Sequence, residues 1–495
     1  MLLHAPRHAR AVLERLQFAA HSTLQAFIEK SRAEPGSFEE FEVELGRRMR
    51  KLESEIKVEQ LARYDIDAQT IVVAGVTMNL CLKKERKEYL TNSGPITVPR
   101  NLFRPSGGGK AVCALELRAG IVGGLCSPAL ARQVTYTMGL MPSAESAELF
   151  REFGIEGPSS STCDRIPKVF DKAWERHRVE WEDALRAAET VPLEAKVMAV
   201  SLDGVMVPDK EAQAKAKAAR EKKRETLAKA TGGPAGYREV GCGTVSLYDA
   251  QKPEAKRLGT IRYGRAPETK KKTLTGQLDA EVAAILAVRP DLILVALADG
   301  AEENWRYFEG PLWATATKIV DFGHASQHLK SGLAAYYGEG SVEGRAEYER
   351  LKVVLKEQAG GVDTVIKLLL RLERSLRARA RASESRKEAV RSERKYFQNQ
   401  RERMGYAAYL AKGLPIGSGV VEAACKTLAT QRMKRSGMSW GDGKQAVLTI
   451  RSLQQSDRWA RGWALAAASF QDTPLVVTHR GALTCYEQPA FAEAA

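Results

Sequence analysis

The spacing of apolar positions divides the N-terminal third of the chain into two kinds of segment. Residues 1–70 carry apolar side chains at helical spacing, around Ala11–Ile28 and Phe38–Leu61, which predicts an amphipathic helical region. Residues 71–125 change to short β-like pieces that are separated by turns rich in Gly and Pro. We therefore expect a small strand-and-turn module at 71–125.

Residues 126–190 return to helical spacing. Ser143–Phe153 predicts an amphipathic helix ending at Gly154, and Ser161 with Asp164 has the spacing of a capping box that begins another helix. Two helices joined by a tight turn are typical of a helix-turn-helix, although any two-helix hairpin has the same pattern. This region is a candidate for DNA binding.

Residues 191–339 alternate between strand-like and helical patterns. A helix over 274–288 is predicted by an apolar face made of Leu278, Val282, Ile285 and Leu286. Short apolar runs predict five strands, at 196–207, 239–248, 257–264, 292–298 and 317–322. Hairpin-joined strands followed by helix-separated ones favour a mixed sheet.

The remainder of the chain is predicted to be mainly helical. Residues 340–412 form one long helical block and residues 413–470 another, whereas 471–495 show no clear pattern. Between Lys367 and Arg403 there are thirteen basic and five acidic side chains, a net charge of +8. That sign bias suggests a basic face on the first block.

Charge and cysteine usage narrow the class of protein. The net charge of +15 and the pI near 9.4 favour a polyanionic partner, most often nucleic acid, over a merely basic enzyme. Seven cysteines without a C-x-x-C pair argue against a zinc finger and a disulfide framework. No long apolar run and no secretory signal are evident, so we expect a cytoplasmic protein without a membrane span.

Three carboxylates carry the candidate chemistry. Asp203 lies in the run 196–207, Asp299 follows the run 292–298, and Glu422 lies where a Gly-rich turn opens a helix. Such carboxylates can converge on a pair of Mg²⁺ ions about 3.5–4 Å apart, which activates an attacking oxygen and stabilises a leaving oxygen on phosphate. Singly, each Asp-Gly pair is more often an ordinary turn, but the shared context and the basic surplus favour a metal site.

Two further groups of residues are candidates for the site or for DNA contact. Asp321, His324 and His328 have the spacing of one helix face, which also suits a partly buried pair of histidines. The segment around Trp440 combines basic side chains with an aromatic ring, as in DNA backbone contact with base stacking, or as in a solvated loop with a core Trp. The candidate DNA contacts are Arg374, Arg377, Arg381, Lys426, Arg432, Lys434, Arg435 and Trp440.

Together these motifs resemble the DDE transposases of bacterial insertion sequences, within the Mutator-like branch of the RNase H-like fold. The resemblance covers residues 195–465. The motifs that carry it are Leu202–Val205, Ala298–Ala301, Asp321–His324, Leu414–Lys426 and Arg432–Trp440.

The resemblance implies a fold and a set of site residues. The fold is α/β, an RNase H-like mixed five-stranded sheet with flanking helices, an all-helical insertion at 340–412 and a mainly helical N-terminal region that binds DNA. Asp203, Asp299 and Glu422 would be the ligands of two Mg²⁺ ions, for which Mn²⁺ can substitute. Asp321 and His324 would form the D-x-x-H signature of the branch, with His324 orienting a phosphate or attacking group and Asp321 fixing its tautomer, or with a structural role for both.

The activity implied by the resemblance is DNA transposition. The protein would bind terminal inverted repeats, cleave a DNA strand at the element end and join it to target DNA, acting on double-stranded DNA as a homo-oligomer near the bacterial nucleoid. Two alternatives remain open at this point. One is a catalytically silent repressor derived from a transposase, and the other is a nuclease of the same fold that cuts without joining.

Overall fold

The protein is described by a computed structural model that covers residues 21–22, 24–33, 36–221, 234–251, 255–378, 383–479 and 482–485. The predicted helix start near Ala11 and the candidate DNA contact Arg381 lie outside the described residues. The chain forms two compact units, Met1–Arg178 with Ala460–Ala495, and Val179–Trp459.

The first unit contains a six-stranded antiparallel sheet in the order β11-β10-β1-β2-β3-β4. Its strands are β1 Thr70–Val73, β2 Val76–Thr91, β3 Gly94–Pro105, β4 Val112–Cys113, β10 Leu475–His479 and β11 Ala482–Cys485. Residues 24–33 are helical, and the other helices that begin in this unit are α1 Phe38–Ala62, α2 Ala114–Ala119, α3 Pro128–Leu140, α4 Ser143–Glu152 and α5 Ser160–Ala187.

Two strand predictions in this unit were incomplete. The short β-like pieces belong to two long paired strands, β2 and β3. The polar run 83–88 interrupts the apolar pattern, whereas the pairing resumes at Glu85 after register shifts between Leu80 and Glu85. The tail after Asp472, which had no predicted pattern, contributes β10, and β10 pairs with β1. A five-residue strand is too short to detect by periodicity and depends on its distant partner.

The two helices predicted around Gly154 are present. Gly154 has φ 68, a left-handed conformation that ends α4. The predicted capping box at Ser161 is wrong, because α5 begins at Ser160 and the hydroxyl of Ser159 accepts from the backbone nitrogen of Thr162 at 3.3 Å. A role of this pair in reading DNA stays a prediction.

The second unit is built on a five-stranded mixed sheet in the order β7-β6-β5-β8-β9. β6 pairs antiparallel with both β5 and β7, whereas β8 and β9 run parallel to β5. The strands are β5 Val197–Pro208, β6 Tyr237–Tyr248, β7 Arg257–Arg265, β8 Ile293–Ala298 and β9 Thr317–Val320. The five predicted strands are confirmed to within two residues at either end.

Helices cover both faces of this sheet, which explains why its central strands are so apolar. In β8, every residue after Ile293 is buried. On one face lies α7, Lys272–Val288, which buries Leu274, Leu278, Val282 and Ile285. A Cβ at Gly243 of β6 would lie 2.9 Å from a methyl carbon of Leu278, so glycine allows the helix to approach the strand closely.

Within the described residues, the predicted helical block at 340–412 contains four α-helices that follow α9, Phe322–Tyr337. They are α10 Val342–Glu357, α11 Gly361–Ala378, α12 Glu384–Asn399 and α13 Tyr406–Ala411. The remaining helices of this unit are α6 Lys210–Glu221, α8 Glu302–Tyr307, α14 Gly419–Ala424, α15 Gln431–Met433, α16 Lys444–Gln455 and the start of α17 Trp459–Ser469.

A buried ion pair ties the end of α16 to the sheet and to α7. The guanidinium of Arg458 bonds both carboxylate oxygens of Glu281, at 2.8 and 3.0 Å, and the Tyr263 hydroxyl donates to the same carboxylate at 2.5 Å. Arg458 and Glu281 are 3% and 1% exposed. The remaining guanidinium nitrogen of Arg458 bonds Glu189 at 2.8 Å, so the charge is fully compensated inside the protein.

Replacement of Glu281 should destabilise the second unit strongly. We expect Glu281→Gln to lower the free energy of unfolding by about 3 kcal/mol, because it leaves the buried Arg458 without its main counter-charge. The matched control is Glu302→Gln, since Glu302 pairs with Arg306 at an exposed site and should change stability by less than about 1 kcal/mol. Equal urea midpoints for the two variants would contradict the structural role of the Arg458 pair.

Candidate functional site

Three aspartates lie in a row across neighbouring strands at one edge of the second sheet. β5 and β8 pair in parallel, and the last pair is Ser201 with Leu297. Asp203 and Asp299 each lie two residues further on, so the same register would place them opposite each other on the same face of the sheet as that pair. β8 and β9 pair up to Ala298 and Val320, which extends the row to Asp321. The backbone nitrogen of Asp321 donates to Ala298 at 2.8 Å, so the register continues to that residue.

Asp203 is the partly buried member at the centre of the sheet. One carboxylate oxygen accepts from the backbone nitrogen of Gly204 at 2.7 Å, and the other lies 3.7 Å from the Cys425 thiol. Burial, with a further contribution from the charge of Asp299, raises the pKa of the Asp203 carboxyl. A hydrogen bond with Cys242 and burial raise the pKa of the Cys425 thiol, so this thiol remains a neutral donor.

Asp299 lies in the turn between β8 and α8. Its Oδ1 accepts from the backbone nitrogen of Ala301 at 3.1 Å and from the side-chain amide of Asn304 at 2.9 Å. No donor among the described residues bonds its Oδ2. The carboxylate is therefore oriented by one oxygen while the other stays open.

Asp321 is buried and uses both carboxylate oxygens for backbone donors. Oδ1 accepts from the backbone nitrogen of His324 at 2.6 Å and caps α9, and Oδ2 accepts from the backbone nitrogen of Ser418. The backbone nitrogen of Phe322 also donates to Ile416 at 2.9 Å. Asp321 thus fixes the turn that leads to the Glu422 helix. It does not bond the imidazole of His324, so the predicted tautomer-fixing contact is replaced by a structural one.

Glu422 and His324 face each other beside the aspartate row. Nε2 of His324 lies 3.6 Å from Oε1 of Glu422, and the Ser418 hydroxyl donates to the same oxygen at 3.4 Å. Potential ligand atoms of Asp321, His324 and Glu422 all lie within 4.8 Å of one another, the one such group found among the described residues. About half of the Glu422 side chain is exposed, which leaves it accessible from solvent.

The helix that carries Glu422, α14, continues into a segment with a different helical hydrogen-bond pattern. Cys425–Thr430 forms a π-helical turn between α14 and α15. This conformation is rare in proteins, and where it occurs it is often at a functional site. Lys426 is exposed on this turn, one helical turn beyond Glu422, whereas Cys425 is buried against Asp203. The turn therefore directs a thiol inward and a cation outward.

The number of hydrogen-bond donors on the two carboxylate oxygens differs between Asp321 and the other three acids. Mg²⁺ prefers carboxylate oxygens. Asp299 and Glu422 each keep one oxygen without a donor among the described residues, and Asp203 has a weak thiol donor on its second oxygen. Asp321 has two strong backbone donors. By their hydrogen bonds, Asp203, Asp299 and Glu422 each keep more acceptor capacity for a cation than Asp321 does, whereas the close group of ligand atoms among the described residues is that of Asp321, His324 and Glu422.

The basic segment after Glu422 is only partly accessible. Lys434 and Arg435 are exposed. Arg432 is 2% exposed and its guanidinium lies 5.1 Å from the Trp440 ring centre, so its predicted contact with the DNA backbone is wrong. Trp440 is partly buried, and its ring nitrogen donates to Met433 at 2.9 Å. This ring anchors the segment, as in the alternative of a basic loop with a core Trp.

The basic side chains of α11 and α12 are partly neutralised within the protein. Glu373 is 2% exposed and accepts from Arg377, Arg391 and Arg394. Arg374 is exposed on α11. The net charge of this segment therefore overstates the number of arginines that are free for a phosphate.

Two residues of the site were not predicted from the sequence. Asn304, which orients Asp299, lies five residues after it at the first turn of α8, where a polar side chain is unremarkable. Ser418 supplies both a backbone donor to Asp321 and a hydroxyl to Glu422. The signal available for Ser418 was its position between two glycines, and its partners are distant in sequence.

No protein-family model and no curated protein sequence matches the chain. Among solved structures, the chain is similar to the Drosophila P element transposase strand transfer complex, with a TM-score of 0.24 and 9% sequence identity over 69% of this chain and 80% of that chain. At that TM-score the similarity shows neither the fold nor the function of this chain. None of the described helices combines the length and apolarity that a bilayer crossing requires.

Removal of the Asp203 charge should stabilise the metal-free protein. Because the pKa of Asp203 is raised in the folded state, its contribution to stability is present at low pH and is lost as pH rises through the raised value. We therefore expect Asp203→Asn to have the higher melting temperature in EDTA at pH 7, and this gain to vanish below about pH 4, where the carboxyl is protonated in both states. A gain of the same size at both pH values would contradict an electrostatic origin.

Proposed function

We propose that the chain is a DDE transposase of a bacterial insertion sequence, of the Mutator-like branch, with an RNase H-like catalytic core. It binds the terminal inverted repeats, cleaves a DNA strand at the element end and transfers that strand to target DNA. The observation that carries this proposal is the register of β5 and β8, in which Asp203 and Asp299 lie side by side, with Glu422 on a helix whose leading turn is bonded to Asp321.

The order of strands supports the RNase H-like assignment. Three antiparallel strands, β5 to β7, are followed by two strands that extend the sheet in parallel from the other side of β5. In such a sheet, ligands bind outside the carboxyl ends of the parallel strands. The candidate carboxylates lie at that edge.

Asp203, Asp299 and Glu422 would hold two Mg²⁺ ions, for which Mn²⁺ can substitute. Bound there, the ions would supply activation of the attacking oxygen and stabilisation of the leaving oxygen of a phosphodiester. Two ions about 3.5–4 Å apart spread their ligands over a wider span than one ion does, so the three carboxylates do not need to meet at a single point.

The other residues of the site position these ligands. Asn304 and the backbone of Ala301 hold one oxygen of Asp299, and the Cys425 thiol donates to Asp203. His324 lies against Glu422 and can orient that carboxylate or a phosphate oxygen. The helices around Gly154 are the proposed element-end reader.

The exposed cations near Glu422 fit the proposed DNA substrate. Lys426, Lys434 and Arg435 are accessible on the elements that follow it, and cations at such positions neutralise backbone phosphates. Two DNA ends must be handled together in transposition, so we propose a homo-oligomer on DNA.

Each of the three carboxylates should be required for chemistry and not for DNA binding. We expect Asp203→Ala, Asp299→Ala and Glu422→Ala each to reduce cleavage and joining of element-end DNA to background while end binding persists, because each removes a ligand and leaves the basic surface intact. Cleavage on labelled duplexes in Mg²⁺ and in Mn²⁺ is the measurement.

The matched control for this set is Glu302→Ala, which removes an exposed acid three residues after Asp299. It should cleave as the wild-type protein does. If one of the three variants keeps more than trace cleavage activity, the residue it replaces is not part of the catalytic site. Wild-type protein that binds ends without cleaving would favour the repressor alternative, and cleavage without joining would favour the nuclease.

A further inference from the structure

A two-stranded ribbon projects beyond the carboxylates of the second sheet. β5 and β6 remain paired from Asp203 opposite Cys242 as far as Pro208 opposite Tyr237. β8 is paired with β5 only up to Ser201. The five residues of β5 beyond Asp203 span about 17 Å at the usual rise of a strand, so the ribbon extends past the edge where the candidate metal ligands lie.

The tip of the ribbon is fixed to the segment that follows Glu422. The backbone nitrogen of Trp440 donates to Pro208 at 3.2 Å, and that of Lys210 donates to Trp440 at 3.0 Å. Asp209, which is fully buried, pairs with Lys444 and caps α6. The start of α6 and the segment 434–444 therefore form one rigid end of the ribbon.

A second segment reaches the same ribbon from the end of β7. Lys270 and Lys271 have φ of 56 and 50, a left-handed conformation that side chains other than glycine rarely adopt. Lys271 bonds Glu239 of the ribbon at 3.0 Å. Local backbone strain of this kind persists where the surrounding structure holds it, often at binding sites. The residues on either side of Lys271, Lys270 and Lys272, are exposed.

Four exposed lysines surround the ribbon, and we call them the ribbon surface: Lys210, Lys270, Lys272 and Lys434. None of them has an ion pair within the part of the chain that the structure describes.

The acids near the ribbon surface are mostly engaged. Glu211 pairs with Arg238, Glu239 with Lys271, and Glu268 accepts from the first backbone nitrogens of α7. Asp442 remains exposed on the segment before Lys444. Glu268 has only backbone donors and keeps its charge, so Glu268 and Asp442 offset part of the charge of the four lysines and leave a net positive surface.

We propose that the ribbon surface binds the phosphate backbone of double-stranded DNA beside the carboxylate row. Lysines are compact charges that attract phosphates without reading bases, so the contact is independent of sequence. The proposal rests on the proposed function for the identity of the nucleic acid. It assigns the main electrostatic contact to the ribbon surface rather than to the helical insertion.

The salt dependence of DNA binding tests this proposal. In the ribbon variant, Lys210, Lys270, Lys272 and Lys434 are all replaced by Gln in the full chain. Binding to duplex DNA is measured in EDTA over a range of salt concentrations. Because each neutralised phosphate contributes about 0.9 to the slope of log K against log salt, the slope should become shallower by about 3–4 if all four lysines contact phosphate.

The matched control removes the same charge from the helices that follow β9. It replaces four exposed lysines by Gln, namely Lys330, Lys367, Lys395 and Lys412. We expect its slope to change by less than about 1. Thermal unfolding of both variants checks that each is folded, which is expected because none of the eight lysines is in an ion pair among the described residues.

Three outcomes would overturn the ribbon surface. They are an unchanged slope in the ribbon variant, an equal change in the control, and a change seen with duplex RNA but not with DNA. The proposed function is tested separately by metal-dependent cleavage of the wild-type protein. A shallower slope without any cleavage would refute the transposase and retain the DNA-binding surface, whereas cleavage with an unchanged slope would refute the surface alone.

Discussion

The carboxylate of Asp321 is the interaction on which the geometry of the second unit's site depends. Asp321 directly follows β9. Its carboxylate accepts from the backbone nitrogen of His324, which caps α9, and from the backbone nitrogen of Ser418 in the turn before Glu422. A buried carboxylate with two backbone donors is oriented from both sides and is costly to disturb. The helical insertion separates Asp321 from Ser418 in sequence, so this one side chain brings the two halves of the site together.

The four acids of the site, Asp203, Asp299, Asp321 and Glu422, differ in how many hydrogen-bond donors hold each carboxylate. Asp321 accepts a backbone donor at each carboxylate oxygen and acts as a structural link, while Asp299 and Glu422 are each held by one oxygen. The same logic applies to the cations. Arg458 and the arginines around Glu373 are committed to buried acids, whereas the lysines of the ribbon surface are exposed. Counting charges along the sequence does not make this distinction.

The parts of the structure that the sequence predicted well are those determined by local pattern. Apolar runs located all five strands of the second sheet, and the positions of Asp203 and Asp299 within or after them followed directly. The errors arose where burial depends on distant partners. Arg432 resembled a phosphate contact because it lies in a basic run, but it is buried with its guanidinium over the Trp440 ring. The hydrogen bond from Ser418 to Asp321 likewise has no local signature.

The pairing of β1 with β10 has a consequence for how the chain folds during synthesis. Ile71 lies opposite Val477, a contact between residues about 400 positions apart, and contacts of such separation form slowly. The ribosome synthesises the whole second unit before β10 exists, so β1 must wait with an unpaired edge while the intervening residues are made. At about 5–20 residues per second, that interval lasts about 20–80 s. During it, the exposed edge of β1 is open to pairing with another nascent chain.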